Sequence, residues 1–162
     1  METGEKIRKQ VFDSLNVLLV GNNPIELSRI FNSVKAIPGK RIFTEIAFDL
    51  KTILERLARF RPNFILIDDN IGKLELKNTV KMLGNDRKTK NIPIAILKNS
   101  NYQEVVSAGV MDYILKENVT GESLYTTLSN SLKFRRTQLY LYKAFKKRKG
   151  QLKRLTSRAN QI

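Results

Sequence analysis

Short apolar blocks alternate with amphipathic stretches along the first 132 residues. Four blocks have strand character: residues 15–20 (LNVLLV), 64–67 (FILI), 92–97 (IPIAIL) and 112–115 (DYIL). A fifth, residues 41–48 (RIFTEIAF), alternates more and predicts an edge strand. The LLV, FILI and IAIL runs are nearly continuous, as in strands buried on both faces of a parallel sheet covered by helices.

Between the blocks the apolar spacing turns helical. Asn23-Pro24-Ile25-Glu26 predicts a helix start, with Asn23 as cap, Pro24 in the first helical position and Glu26 completing a capping box. Leu27, Ile30, Phe31 and Val34 then share one face, and Ile37-Pro38-Gly39 ends it. Asp49 is placed to cap a second helix with Ile53, Leu54, Leu57 and Phe60 inward. A third runs over 74–85 with Leu76, Val80 and Leu83. Ser100-Asn101-Tyr102-Gln103 opens a short fourth that Gly109 stops. Thr120 opens the last, with Glu122 near its positive end.

The order is (βα)5, an α/β chain with a doubly wound five-stranded parallel sheet. Ligand crevices in such sheets lie at the carboxyl ends of the strands, at the switch point. Those ends are Gly21-Asn22-Asn23, Asp68-Asp69-Asn70, Lys98-Asn99 and Lys116-Glu117.

Composition narrows the chemistry. Among 162 residues there is no Cys and no His, which removes disulfides, thiolate sites, phosphohistidine and the commonest neutral-pH acid/base group. The net charge is +15, but residues 133–162 hold eleven Lys/Arg and no Asp/Glu. The remainder carries 19 basic against 15 acidic groups, so a nearly balanced domain is joined to a cationic tail. No stretch approaches the ~20 apolar residues of a membrane span. The start, METGEKIRKQVFDSL, lacks the apolar block of a signal peptide, and a cytoplasmic protein is expected. Three segments are expected: an extension over 1–13, a domain over 14–131, and a cationic helix or tail over 132–162.

In order and spacing, LNVLLVGNNPIEL, RPNFILIDDNI, NIPIAILKN and AGVMDYILKEN resemble the receiver domain of bacterial two-component response regulators. The likeness covers roughly residues 15–131 and implies a CheY-like, flavodoxin-like fold. A working receiver takes a phosphoryl group from a partner kinase onto an aspartate, with the help of Mg2+ held by an acidic pair. By resemblance, Asp68 matches the phosphoacceptor, Lys116 the phosphate-contacting lysine and Tyr113 the switch aromatic. Asn70 falls where a backbone carbonyl faces the metal.

The departures are large. Gly21 and Asn22 replace the acidic pair, Lys98 stands at the hydroxyl position, Glu117 replaces the proline after the lysine, and Gly72 replaces the proline of the loop after the acceptor. Magnesium prefers octahedral oxygen ligation with carboxylates. If Lys98 and Lys116 both crowd Asp68, they supply the ion's charge without its geometry and repel it. Magnesium binding is therefore expected to be weak or absent. Asp68 is left with two readings, a phosphoacceptor or an ion-pair partner of Lys116 that fixes loop geometry. Tyr113 is either a switch or a packed aromatic, and Lys98 either enters the pocket or points to solvent. Asp69 is expected to turn away by strand alternation.

The last helix continues past the usual receiver end. Leu141, Phe145, Arg148, Leu152, Leu155, Ala159 and Ile162 follow a 4–3 spacing, a heptad-like seam interrupted by Arg148, with Gly150 nearby. Three readings stand open: a signalling or dimerisation helix, a tail disordered when alone, or an anion-binding arm. In the last, Lys143, Lys146, Lys147, Arg148, Lys149, Lys153 and Arg154 meet phosphates. Tyr140, Tyr142 and Phe145 among them permit base stacking, though no named nucleic-acid motif is present.

The expectation is a non-enzymatic, atypical receiver module acting by protein contacts without phosphorylation. Its partners would be a histidine kinase or output protein, met on the face of the fourth helix, fifth strand and fifth helix around Tyr113. A homodimer through the last helix is the expected self-contact. The alternatives are a receiver still phosphorylated at Asp68 and a nucleic-acid-binding regulator using the tail. A flavin carrier or enzyme is disfavoured, because the loop after the first strand is not a Gly- or Ser/Thr-rich phosphate cradle.

Overall fold

The computed structural model describes residues 14–99 and 112–159. Five strands form one parallel sheet: β1 (Ser14–Val20), β2 (Arg41–Ala47), β3 (Phe64–Asp68), β4 (Ile94–Lys98) and β5 (Asp112–Leu115). Their order is β2-β1-β3-β4-β5, the doubly wound order with its switch point between β1 and β3. The helices are α1 (Pro24–Lys35), α2 (Leu50–Leu57), α3 (Lys73–Asn85) and α4 (Gly121–Ala159). Short 3-10 turns follow β3 (Asp69–Ile71) and β5 (Lys116–Asn118). The fourth expected helix, with its Ser100–Gln103 start and Gly109 stop, lies outside the described residues, as do residues 1–13.

The near-continuous apolar runs do become the inner strands. Every residue of β3 and β4 is buried, and β2, which alternates, sits at the edge. On one face of the sheet, Leu18, Val20, Ile65, Ile67, Ile94 and Ile96 pack with Ile53 and Leu57 of α2 and with Leu76, Val80 and Leu83 of α3. Burial on this scale contributes ~1.5–3 kcal/mol per large aliphatic side chain.

Several boundaries shift for identifiable reasons. Strand β4 starts at Ile94 rather than Ile92, because Pro93 has no N–H for the ladder; its carbonyl still accepts from Ile65 N at 3.0 Å. Strand β2 ends at Ala47, leaving Phe48 exposed, and β3 gains Asp68. Leu54, expected inward, is exposed: the short α2 buries Ile53 and Leu57, and Leu54 lies about 100° around the helix from Ile53. Asn23 does cap α1, accepting from Ile25 N and Glu26 N. The capping box does not close, since Glu26 turns one turn onward to pair with Arg29 at 3.4 Å. Phe31 is half-buried, with the Lys35 ammonium 4.4 Å from its ring centre. Asp49 caps α2 through Thr52 N at 2.7 Å, and Thr120 Oγ1 accepts from Ser123 N at 3.0 Å in front of α4.

The chain divides into two compact units that part inside α4, between Leu128 and Ser129. In the first, Leu124, Thr127 and Leu128 of α4 are buried. Gly121 opens the helix so close to Ala36 that a Cβ there would stand 2.2 Å from the Ala36 carbonyl oxygen. In the second unit, residues 136–158 are all exposed. No helix among the described residues is long and apolar enough to cross a membrane.

Candidate functional site

The site forms where β1, β3, β4 and β5 end. Asp68 is the last residue of β3 and is fully buried. Its Oδ1 accepts from Asn70 N at 3.0 Å, an Asx-type turn that bends the chain into the 3-10 turn. That turn ends the strand's alternation one residue earlier than the sequence pattern implies. Asp69 consequently does not turn away. Its side chain is buried, and its Oδ2 accepts from Asn99 N at 3.3 Å. Asn70 Oδ1 accepts from Asn99 Nδ2 at 2.8 Å, tying the ends of β3 and β4 together.

Lys116 opens the 3-10 turn after β5 and is only 4% exposed. Its ammonium is ion-paired with Asp68 Oδ1 and lies 3.6 Å from Asp69 Oδ1. The Asp68 contact is a charge contact, not a directed hydrogen bond. Among the described residues, Asp68 Oδ2 and Asp69 Oδ1 have no hydrogen-bond partner. The centre thus holds, among the described residues, two buried carboxylates against one ammonium. The Lys116 carbonyl is in turn held by Arg29 Nη2 at 3.1 Å, and Ser33 Oγ reaches Val119 O at 3.5 Å, so α1 fixes the loop that carries the lysine.

Lys98 takes a different course from the one that would crowd Asp68. Asp68 is registered with Leu97, so strand alternation sends the Lys98 side chain to the opposite face. Tyr113 is registered with Ile96, two residues before Lys98, and shares that face. The Lys98 ammonium lies 4.3 Å from the Tyr113 ring centre, a cation–π contact. Lys98 is 8% exposed, so the solvent-pointing alternative also fails. Tyr113 is half-buried and packs against the core face.

After β1, Gly21 N donates to Ala47 O at 3.0 Å. A Cβ on Gly21 would stand 2.6 Å from Leu27 Cδ2 and 3.2 Å from Asp68 Cβ, so Leu27 of α1 fills the space a side chain would need. Asn22 is exposed. Gly72 has φ 96° and ψ 154°, which a proline ring cannot adopt, so the loop after Asp68 follows a path closed to the proline of the receiver pattern.

Three residues that shape the site were not singled out from the sequence, and a fourth, Asp69, was weighed as an alternative acid and set aside. Asp69 was hidden by the alternation rule, and only the Asx turn at Asp68 could have signalled it. Asn99 was noted only as part of a strand end. Arg29 and Leu27 look like ordinary helix-face residues, and nothing local marks them.

Magnesium is the group that the receiver resemblance implies. Its fit is poor. Among the described residues no group of three or more His, Cys, Asp or Glu could hold a metal. The positions of the acidic pair hold a glycine packed by Leu27 and an exposed asparagine, and an ammonium already stands against the two carboxylates that remain.

Along α4, Lys143, Lys146, Lys147, Arg148, Lys149, Lys153 and Arg154 are all exposed. Lys146 lies 4.9 Å from the Tyr142 ring centre. The far end of the predicted seam, Ile162, is outside the described residues.

No protein-family model matches the chain, and no curated protein matches it in sequence. Solved structures do. The receiver domain of a sensor histidine kinase from Pseudomonas aeruginosa, crystallised with magnesium in its active-site cleft, superposes with TM-score 0.62 at 18% identity, over 74% of this chain and 98% of its own. The N-terminal domain of a response regulator/sensory box/GGDEF protein from Carboxydothermus hydrogenoformans gives 0.59 at 18% identity, over 76% and 98%. The chemotaxis response regulator CheY4 of Vibrio cholerae gives 0.54 at 20% identity, over 75% and 98%. The fold of this chain is that of response-regulator receiver domains, a CheY-like α/β fold, with a long C-terminal helix.

Proposed function

We propose that this protein is an atypical receiver module of two-component-type signalling that works through protein contacts and does not require phosphorylation of Asp68. One observation carries the reading: where the receiver pattern has its acidic pair, Gly21 is packed so closely by Leu27 that a Cβ would stand 2.6 Å from Leu27 Cδ2, and Asn22 is exposed, so Asp68 and Asp69 have beside them the Lys116 ammonium and not a further carboxylate. Phosphoryl transfer to a carboxylate requires neutralisation of the transferring oxygens, normally by a metal that also sets their geometry. An ammonium supplies charge but no octahedral template. Here the same ammonium is already committed to the nucleophile, and Leu27 fills the space beside Gly21.

The output surface would surround Tyr113. In place of a hydroxyl that senses phosphate, Lys98 holds the ring by a cation–π contact that no phosphoryl group is needed to form. A histidine kinase or an output protein would meet this face in the one arrangement the pocket provides. The test is intact-mass analysis of the full chain after incubation with acetyl phosphate and magnesium. No added phosphate is expected. An added phosphate mass that vanishes in Asp68→Ala would overturn the proposal in favour of a working phosphoacceptor.

A second reading has its own observation, the exposed basic side chains of residues 143–154 in a segment without a single acid. A nucleic-acid-binding tail predicts affinity that falls steeply with salt and disappears on truncation after Ser131. Absent or salt-independent binding rejects it.

A further inference from the structure

The second unit is a helix with little reason of its own to be one. Like charges stand four apart at Lys143/Lys147, Lys149/Lys153 and Arg154/Arg158, and Gly150 interrupts its interior. It contains no acid to offset them. Helical stability in such a segment comes from packing of an apolar face. That face is present and uncovered: Leu141, Phe145, Leu152 and Leu155 are each 60–64% exposed.

Continuous helix over these residues fixes their phase. With Phe145 and Leu152 at a, positions d are Leu141, Arg148 and Leu155. The cations then sort by position. Lys146 and Lys153 fall at b, Lys147 and Arg154 at c, and Lys143 at f, all away from the seam. The flanking e sites are Tyr142, Lys149 and Thr156, and the g sites are Ala144, Gln151 and Arg158.

We infer that the seam is covered by a second copy of the same helix, running antiparallel. Antiparallel coiled coils set a against d of the other chain. One two-fold register then pairs most of the seam, with Leu155 opposite Gln138 of the second copy. Leu152 packs on Leu141 of the second copy, and Arg148 lies on Phe145 of the second copy, a cation–π contact instead of an unpaired cation. At the rim, Lys149 meets Tyr142 of the second copy, and Ala144 meets Gln151. A parallel pair in register would instead press the two Arg148 guanidiniums together. Every antiparallel register is two-fold symmetric; this one is chosen because it sets Leu152 on Leu141 and covers Arg148 with Phe145, while the cations at b, c and f stay in water.

The test uses the full chain at tens of micromolar, by sedimentation equilibrium and by cysteine cross-linking, which the absence of native Cys makes clean. A reversible dimer is expected. Leu152→Glu places a charge in the seam and raises the dissociation constant by about tenfold or more, whereas Lys147→Glu on the outer face leaves a dimer. Under mild oxidation, Leu141→Cys mixed with Leu152→Cys gives a covalent dimer of the two variants, and neither variant cross-links with itself. A monomeric chain, a dimer indifferent to Leu152→Glu, or self-cross-linking of Leu152→Cys would each overturn the inference. So would a monomer that uses Leu152 to bind nucleic acid or anionic vesicles.

Discussion

At the ends of β3 and β5, two carboxylates and an ammonium are held out of water, each fixed by turn geometry or by a neighbouring helix. Along residues 133–162, eleven basic groups have no acid in the segment. The two regions handle surplus charge in opposite ways. In the pocket, removal from water makes each interaction strong and specific, and costly to leave unpaired. Along the outer turns of α4, water and salt screen each charge, so individual cations matter little and the sum matters for association. Apolar side chains show the same inversion: the first unit buries most of them, whereas those of residues 139–155 lie on the surface.

The largest effect that would break this contrast is at Lys116. Lys116→Met strands two buried carboxylates without a counter-charge and should cost ~3–5 kcal/mol in urea unfolding. Adding Asp68→Asn should recover part of the loss, and Lys147→Glu on the outer helix should shift stability by less than ~0.5 kcal/mol. Equal costs for Lys116→Met and Lys147→Glu would mean that the pocket pair is not buried in solution.

The same substitution at two glycines sharpens the comparison by sign. Gly121→Ala drives a Cβ into the Ala36 carbonyl, a backbone atom that cannot swing aside, and should destabilise by ~1–3 kcal/mol. Gly150 has nothing within 4 Å of its built Cβ, so Gly150→Ala should raise helical content by up to ~1 kcal/mol of propensity. Thermal unfolding followed by circular dichroism reads both. The smallest effect concerns pH. Hydrogen bonds from the Thr52 side chain and backbone hold the Asp49 carboxyl below its ordinary value. Its folded-state value lies below the unfolded one, so its contribution is present above about pH 4 and is lost as pH falls through the folded value. Asp49→Asn should flatten that part of the acid-unfolding curve slightly, and an unchanged curve would show the cap to be energetically silent.

Much of the fold was legible because its signals are local. The continuous runs at 64–67 and 94–97 gave inner strands, the alternating 41–48 segment gave the edge, and Asn23, Asp49 and Thr120 capped where a short polar side chain precedes an amphipathic run. The pairing of Asp68 with Lys116 was one of two readings of Asp68 that stood beside the receiver resemblance, and the two side chains do meet. Asp69 was misjudged, because alternation was carried one residue past the point where the Asx turn ends it. Lys98 was misplaced because its direction depends on register with β3, which no single segment encodes.

The sequence by itself determined the order of strands and helices, the charge asymmetry and the lack of a carboxylate at residues 21 and 22, since each is a property of residue type and short-range period. Only the tertiary structure decided that Leu27 fills the space beside Gly21, that Lys98 rests on Tyr113, and that Arg29 holds the Lys116 loop. Those contacts join residues far apart in the chain, and their geometry is set by sheet register and helix packing, which emerge only when the whole core is assembled.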